Sequence, residues 1–579
     1  MYSEALRRYL PAFGRPEEPF LRTVSPAPRE SVRRWTRGEF WLMALRAAGV
    51  LRRFGLGKGD RFVNAYGENT PEDLMFRLGA TMVGAVPVTM NWQADGVEEM
   101  AYKIDLTEGR LMVWDPSFLA LKAPGGADFL KELSRRFPRL PDYAVSSLAE
   151  ESPLEEGAFV ADLTSADDRI VIFTSGTTGH PKGARLSYGS YDNNDQALGR
   201  YLELPEDPPE QGPLFLMINP LHHANSTAVS DLVLRRPGAE LVLFPRYGTF
   251  YWRAVTECAE GEGRSRRIIA PTVARHFDYL EHLRETASLP VEEPRLLQSM
   301  ARVEFVLGSA PVGPTTVERL ERWTGRVPSV RFGSTETCFH VLGTPLAMAN
   351  DARRRAFERG WRHSPPGYWI GRPHPPLTEV RIVEEVDPDK EGYLRDCTEG
   401  RPGYMICRGG NVMTGYVRDE EGSRRVLREG WYLGLLDVAF GLTHPQDGQR
   451  DIYWVGRDSA LLIRGGANYA CDQINGELCR FVERRYALSC DDFDLAVAGL
   501  RIASEHEDSC GVTLELKSDR ARSLEEELRR TFLVEAREEV SKGARPDFLR
   551  FGQVFRTFKG TIRLQEIKKA WRDDPDAPQ

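Results

Sequence analysis

Apolar positions along this chain change period several times, and each change predicts an element. Trp41, Leu42, Leu45, Ala48 and Leu51 recur at helical spacing. Thr36 and Glu39 form a capping box before them and Gly55 closes the helix. The stretch from 55 to 92 then alternates strand, helix and strand, as a doubly wound α/β sheet does. Ile170-Val171-Ile172-Phe173 is a short apolar run of the kind buried in a parallel sheet, and the segments at 212–229 and 303–314 each begin with another. From Tyr368 short strands broken by Gly and Pro predict a small β-barrel, with Asp447-Gly448 as a hairpin turn between strands at 437–442 and 451–456. Ile474, Leu478, Phe481 and Val482 share one helix face near the C-terminus. Strands near 494–500 and 510–517, a helix at 523–540 and a strand near 548–555 complete a compact α+β unit.

Four stretches carry little pattern. Residues 1–35 read as an extended wrap, 120–165 as irregular and polar, 256–266 as a solvated loop, and 347–361 as an extra charged helix on the surface. The polar tail at 573–579 is not expected to order itself.

Composition narrows the class. A chain of 579 residues exceeds one hydrophobic core. A net charge of −8 argues against general affinity for nucleic acid. Eight cysteines form no CxxC pair and no metal-ligand spacing, which fits reduced thiols. No apolar run is long enough to span a membrane, and the first residues lack a signal-peptide core, so a soluble cytoplasmic protein is expected.

The stretch with most chemistry follows the strand at 170–173. Thr174, Ser175, Gly176, Thr177, Thr178 and Gly179 lead to Pro181-Lys182-Gly183. Glycines allow tight turning, while hydroxyls, free N–H groups and one ammonium converge on a space suited to a polyphosphate. The common P-loop is excluded, because its lysine precedes Ser or Thr at the start of a helix and Lys182 precedes Gly183.

TSGTTGHPKG resembles the phosphate loop of the adenylate-forming superfamily, the acyl-CoA synthetases, acyl-AMP ligases, luciferases and peptide-synthetase adenylation domains. The resemblance spans roughly 36–570 and implies two doubly wound α/β subdomains plus a small β-barrel in residues 1–456. A hinge at 457–460 and a smaller mobile α+β domain at 461–579 follow. Gly308-Ser309-Ala310-Pro311 matches the superfamily's adenine-cradling turn. In Phe332-Gly333-Ser334-Thr335-Glu336 the aromatic would stack on adenine, Thr335 would meet the α-phosphate and Glu336 would reach Mg²⁺. Asp437 and Arg457 match the ribose-binding pair, although five residues rather than four separate Trp431 from Asp437, with Leu436 where Gly is expected. In Pro220-Leu221-His222-His223 the last residue would lie beside the acid carboxylate.

The implied chemistry joins a fatty or aryl acid to ATP, giving acyl-AMP and pyrophosphate, and then passes the acyl group to the thiol of coenzyme A. An acyl carrier protein's phosphopantetheine is the alternative acceptor. Lys182 and a C-terminal lysine are the implied catalytic cations. The superfamily's lysine position is Thr561 here, and Lys559, two residues earlier on the same face of an extended segment, is the substitute. The hinge position is Ser459 rather than Asp or Lys, and Gly465-Gly466 would line the thiol channel. These departures keep open a catalytically weakened nucleotide or acyl-adenylate binder. The lack of a Gly-x-Ser-x-Gly elbow argues against a serine hydrolase.

Overall fold

A computed structural model describes residues 2–24, 32–121, 126–174, 181–261, 265–457, 461–464, 467–489, 491–502, 504, 507–555, 562 and 564–574. It divides into two compact units. The first comprises Met1–Phe173, Gly183–Gly308 and Thr316–Val455; the second comprises Thr174–Lys182, Ser309–Thr315 and Gly456–Gln579.

In the first unit one sheet runs, in spatial order, through Gly415–Tyr416, Lys182–Ser187, Asp168–Thr174, Val86–Thr89, Arg61–Ala65, Met112–Trp114 and Asp142–Ala144. The central strands Val86–Thr89 and Arg61–Ala65 are buried at every position but Arg61, as expected where helices cover both faces of a parallel sheet. The second sheet has a parallel core, Ser329–Phe332, Val303–Leu307, Ile268–Thr272, Leu214–Met217 and Glu240–Leu243, in that order. Its path continues antiparallel through Leu342–Gly343 into Tyr368–Pro373, Arg450–Arg457, Asp437–Thr443 and Gly403–Gly409. Those last strands are the small Gly- and Pro-broken β group, and Gly448 turns between two of them at φ 69°.

The first helix, Arg37–Arg53, has the capping box of Thr36 and Glu39, and Gly55 follows at φ 75°. Its buried face is Phe40, Met43, Ala44, Ala47, Ala48 and Leu51, whereas Leu42 is exposed. The expected face was rotated because large apolar residues were counted. Small ones do the packing: a Cβ on Gly79 of the helix Pro71–Val83 would stand 2.7 Å from the Ala44 carbonyl oxygen.

Three other expectations are corrected. Residues 1–35 are not a featureless wrap: short helices at Glu4–Arg7 and Leu10–Phe13 bury Leu6, Tyr9 and Ala12, and Pro19–Val24 adds a strand to the second sheet. Residues 256–261 continue the helix Phe250–Gly261, with Thr256 and Ala259 buried. The region 120–165 holds the helix Gly126–Arg136 and the strand Asp142–Ala144. The charged helix Asn350–Trp361 exists, but it is anchored: Phe357 is fully buried and the Arg353 guanidinium donates to the carbonyls of Val327, Pro345 and Leu346.

The second unit contains the sheet Phe493–Leu500, Ser509–Leu516 and Phe548–Phe551, with helices Cys471–Tyr486 and Glu525–Glu539. Ile474, Leu478, Phe481 and Val482 are its buried helix face. Among the described residues no helix is long and apolar enough to cross a membrane.

Candidate active site

In parallel α/β sheets ligands bind beyond the C-terminal ends of the strands. The strands ending at Met217, Thr272, Leu307 and Phe332 are neighbours, so the chain that leaves them carries His222, His223, Gly308 and the 332–336 turn along one edge.

Phe332 ends its strand half-buried, and Gly333 follows for a steric reason: a Cβ there would overlap the Phe339 carbonyl oxygen. The chain folds back on itself because Cys338 and Phe339 both take left-handed φ values, 46° and 86°. Ser334 caps the short turn Thr335–Thr337, with its N–H donating to Thr337 Oγ1 at 2.8 Å. The segment 411–416 braces the turn. Asn411 Nδ2 donates to the carbonyls of Thr337 and His340 at 2.8 and 2.9 Å, and the Met413 N–H donates to that of Glu336 at 2.7 Å.

Glu336 is half-buried. Tyr416 donates its hydroxyl to Oε1 at 3.3 Å, and the second carboxylate oxygen accepts from no described residue. Burial and this carboxylate push the Tyr416 and Tyr432 phenols up, so both stay protonated donors. The buried Cys407 thiol is pushed up as well, by burial first and then by Glu336 and Asp437 together, which places the two acids in one neighbourhood. Among the described residues no group of three His, Cys, Asp or Glu side chains could hold a metal. A half-exposed carboxylate with one oxygen to spare instead fits a magnesium ion held mostly by phosphate oxygens.

Asp437 is 1 % exposed and accepts from Trp454 Nε1 at 2.7 Å. Leu436 before it, where the family motif has Gly, adopts a left-handed φ of 52°. Gly308 follows the strand Val303–Leu307, and Ser309 comes next with a left-handed φ of 71°.

His222 is 7 % exposed, with neither ring nitrogen hydrogen-bonded, and it meets Trp92 edge-on at 5.3 Å. His223 caps the helix Ala224–Arg235. Burial, helped by the Lys103 ammonium, pushes His223 down to about 4, so it is neutral at pH 7. Lys103 is itself buried and bound to Asp95 at 2.5 Å, and its Nζ lies 4.9 Å from the Phe173 ring centroid. The loop 219–223 is held from the first sheet's side: Asn69 bonds the Asn219 carbonyl and the Leu221 N–H, and Arg77 the Leu221 carbonyl.

Thr174 ends one strand and Lys182 opens the neighbouring one, so Lys182 begins a strand and not a helix, as the exclusion of a P-loop requires. Ser175, Gly176, Thr177, Thr178 and Gly179 lie outside the described residues. So do Ser459, Gly465, Gly466, Lys559 and Thr561, and the side chain of Arg457. Ala310 is half-buried. Sequence reasoning missed Tyr416, Asn411, Trp454, Trp92 and Lys103. The first two stand in the 403–417 strand-rich segment, whose Gly-Gly-Asn turn is the only local signal.

A family model described as AMP-binding enzyme matches residues 12–417. The indoleacetate–CoA ligase of Aromatoleum aromaticum is 27 % identical over 440 residues, covering 73 % of this chain and 72 % of that one. The mitochondrial medium-chain acyl-CoA ligase ACSF2 of Macaca fascicularis is 25 % identical over 455 residues, covering 73 % and 66 %. Among solved structures, an o-succinylbenzoate CoA synthetase from Bacillus subtilis superposes with a TM-score of 0.72 over 98 % of both chains at 18 % identity, a likeness of fold.

Proposed function

This chain belongs to the AMP-binding enzyme family, and on that premise we propose that it is an ATP-dependent acid–thiol ligase acting through the residues just described. The observation that carries the reading is the braced turn 332–340, which presents an aromatic ring, a hydroxyl and a carboxylate in succession at the ligand-binding edge of a parallel sheet. In the first step a carboxylate oxygen attacks the α-phosphorus of ATP, the bond to the β-phosphate oxygen breaks, and pyrophosphate leaves with the electron pair. In the second a thiolate attacks the acyl carbonyl and AMP leaves. The first barrier is the meeting of two anions, so fixed donors supply most of the acceleration.

Phe332 stacks on the base, and the turn at Gly308, Ser309 and Ala310 is the adenine-cradling turn of the family motif. Asp437 and Arg457 hold the ribose, Thr335 donates to the α-phosphate, and residues 174–179 with Lys182 hold the β- and γ-phosphates. Magnesium on Glu336 supplies neutralisation of triphosphate charge when bound. His223, being neutral, can donate a hydrogen bond that orients the acid without quenching its nucleophilic charge. Lys559 bridges acid and phosphate in place of Thr561, and residues 461–579 carry it to and from the site about the hinge at 457–460. Coenzyme A is the acceptor.

The test is acid-dependent pyrophosphate release from the full chain with ATP, magnesium and a panel of fatty and aryl acids, followed by detection of free acyl-CoA. Lys559→Ala should lower release by about 10²–10³. Release that is unchanged in that variant removes Lys559 from the mechanism. Nucleotide binding without turnover on any acid removes the ligase reading altogether, and acyl-AMP that ignores coenzyme A but loads a carrier protein changes the acceptor.

A further inference from the structure

The strand Ser329–Phe332 holds a buried cation whose charge nothing described balances. Arg331 is 5 % exposed. Its guanidinium lies against Gly308, where a Cβ would stand 2.7 Å from Nη2 and 2.8 Å from Cζ. On the other side Cζ is 3.3 Å from the Phe339 ring centroid, and Nη1 donates to the Phe339 carbonyl at 3.1 Å.

The other buried arginines among the described residues are all better served. Arg77 is paired with Asp73, Arg169 and Arg235 with Asp231, and Arg22 with Glu240. Arg37 and Arg353 form no described ion pair, but carboxylates stand near both and each donates to four or more backbone and hydroxyl oxygens. Arg331 makes one carbonyl bond, and no described carboxylate pairs with it. A guanidinium has five N–H donors and is costly to bury alone. Burial accordingly pushes it down to about 9, still charged at pH 7. The neighbouring polar groups add no countercharge: His340 is fully buried with both ring nitrogens unpartnered, and burial keeps it neutral.

We propose that Arg331 receives a second negatively charged group of the acid substrate, so that the preferred substrate is a dicarboxylic acid. The inference rests on the acid-activating reading of this edge. One carboxylate of the substrate is activated near His223, and the other meets the guanidinium that lies between Gly308 and Phe339. A plain fatty or aryl acid brings no charge to this position and leaves the cation unpaired.

Matched pairs of acids test it on the full chain: hexanoate against adipate, benzoate against each of the three benzenedicarboxylates, and 3-phenylpropionate against 3-(2-carboxyphenyl)propionate. The dicarboxylate should win in at least one pair, by about 30-fold or more in kcat/KM for pyrophosphate release, the scale set by buried charge pairs. Arg331→Met should erase that preference through the KM for the dicarboxylate, with the KM for ATP moving less than twofold, and Arg331→Lys should restore part of it. Preference for the monocarboxylate in every pair overturns the proposal, as does a preference that survives Arg331→Met or a loss that falls on ATP. If the Met variant fails to fold, the wild-type melting temperature decides: with a non-hydrolysable ATP analogue it should rise more with the dicarboxylate than with its partner, and equal shifts overturn the proposal. Failure of every acid, with ATP still bound, is the separate signature that the acid-activating reading is wrong, and this proposal falls with it.

Discussion

Acidification should weaken the larger unit through its buried imidazoles, and His276 isolates the effect. It lies in the helix Ala274–Glu285, 8 % exposed, stacked on Tyr247 with ring centroids 4.6 Å apart and 7° between planes. Its Nδ1 is buried and unpartnered, and burial pushes the imidazole down to about 3 from 6.5. The folded pKa is depressed, so the unfolded chain binds the extra proton. Stability is therefore full above pH 6.5 and is lost as pH falls toward the folded value. Between pH 7.5 and 5.0 the linkage amounts to about 2 kcal/mol. His223 and His374, each pushed down to about 4, add about 2 kcal/mol apiece. Asp195 opposes them: burial raises its carboxyl to about 6, so it takes up a proton in the folded state and returns about 1.4 kcal/mol. These four groups together account for a loss of about 5 kcal/mol, a large share of ordinary domain stability, and the buried His222 and His340, held down by burial in the same way, act in the same direction. Urea unfolding followed by tryptophan fluorescence at the two pH values measures it. His276→Phe keeps the stacked ring and removes the titration, so its loss should be smaller than the wild type's by about 2 kcal/mol. Equal losses in the two proteins would refute the assignment of a neutral, buried imidazole at this position.

Two further perturbations probe the neighbourhood of Asp437, proposed above to hold the ribose. Leu436→Gly relieves a left-handed backbone that costs a non-glycine residue about 1–2 kcal/mol, and after the entropy of glycine is subtracted it should raise the unfolding free energy by about 1 kcal/mol; a lower value shows that the Leu436 side chain is needed where it packs. Trp454→Phe removes a donor at 2.7 Å from a buried carboxylate and should cost about 1.5–3 kcal/mol, together with a raised KM for ATP; an unchanged melting temperature means that other partners of Asp437 suffice.

What could be read from the sequence was what depends on neighbours along the chain. The capping box at Thr36, the turn at Gly448 and the face of the helix Cys471–Tyr486 are set by residues within a few positions of one another. The succession of strands along the chain and the position of the 332–336 turn follow from apolar runs that end in Gly and Ser. What escaped depends on partners far apart. Tyr416 reaches Glu336 across 80 positions, and Asn411 reaches Thr337 across 74. The first helix was given a rotated face because alanines carry little hydrophobic signal, although they allow Gly79 to come close. Residues 1–24 looked patternless because single buried side chains, Leu6, Tyr9, Phe20 and Leu21, anchor short elements with no period to detect.

Departures from an expected motif gain their meaning from the backbone and from charge balance. Leu436, where the motif has Gly, takes a left-handed φ of 52°, a region that glycine enters without strain and leucine does not. Arg331 is the reverse case. The letters Val-Arg-Phe-Gly suggest nothing unusual, since arginines are ordinarily exposed or paired. Once the side chain is found buried against Gly308 with one carbonyl for company, the question becomes which anion completes it. Stability alone gives no reason to keep such a cation, because a buried charge without a partner costs more than an apolar residue of similar volume. A substrate that supplies the partner explains both its burial and its place beside the residues assigned to the nucleotide, and it converts a structural liability into selectivity for acids that carry a second charge.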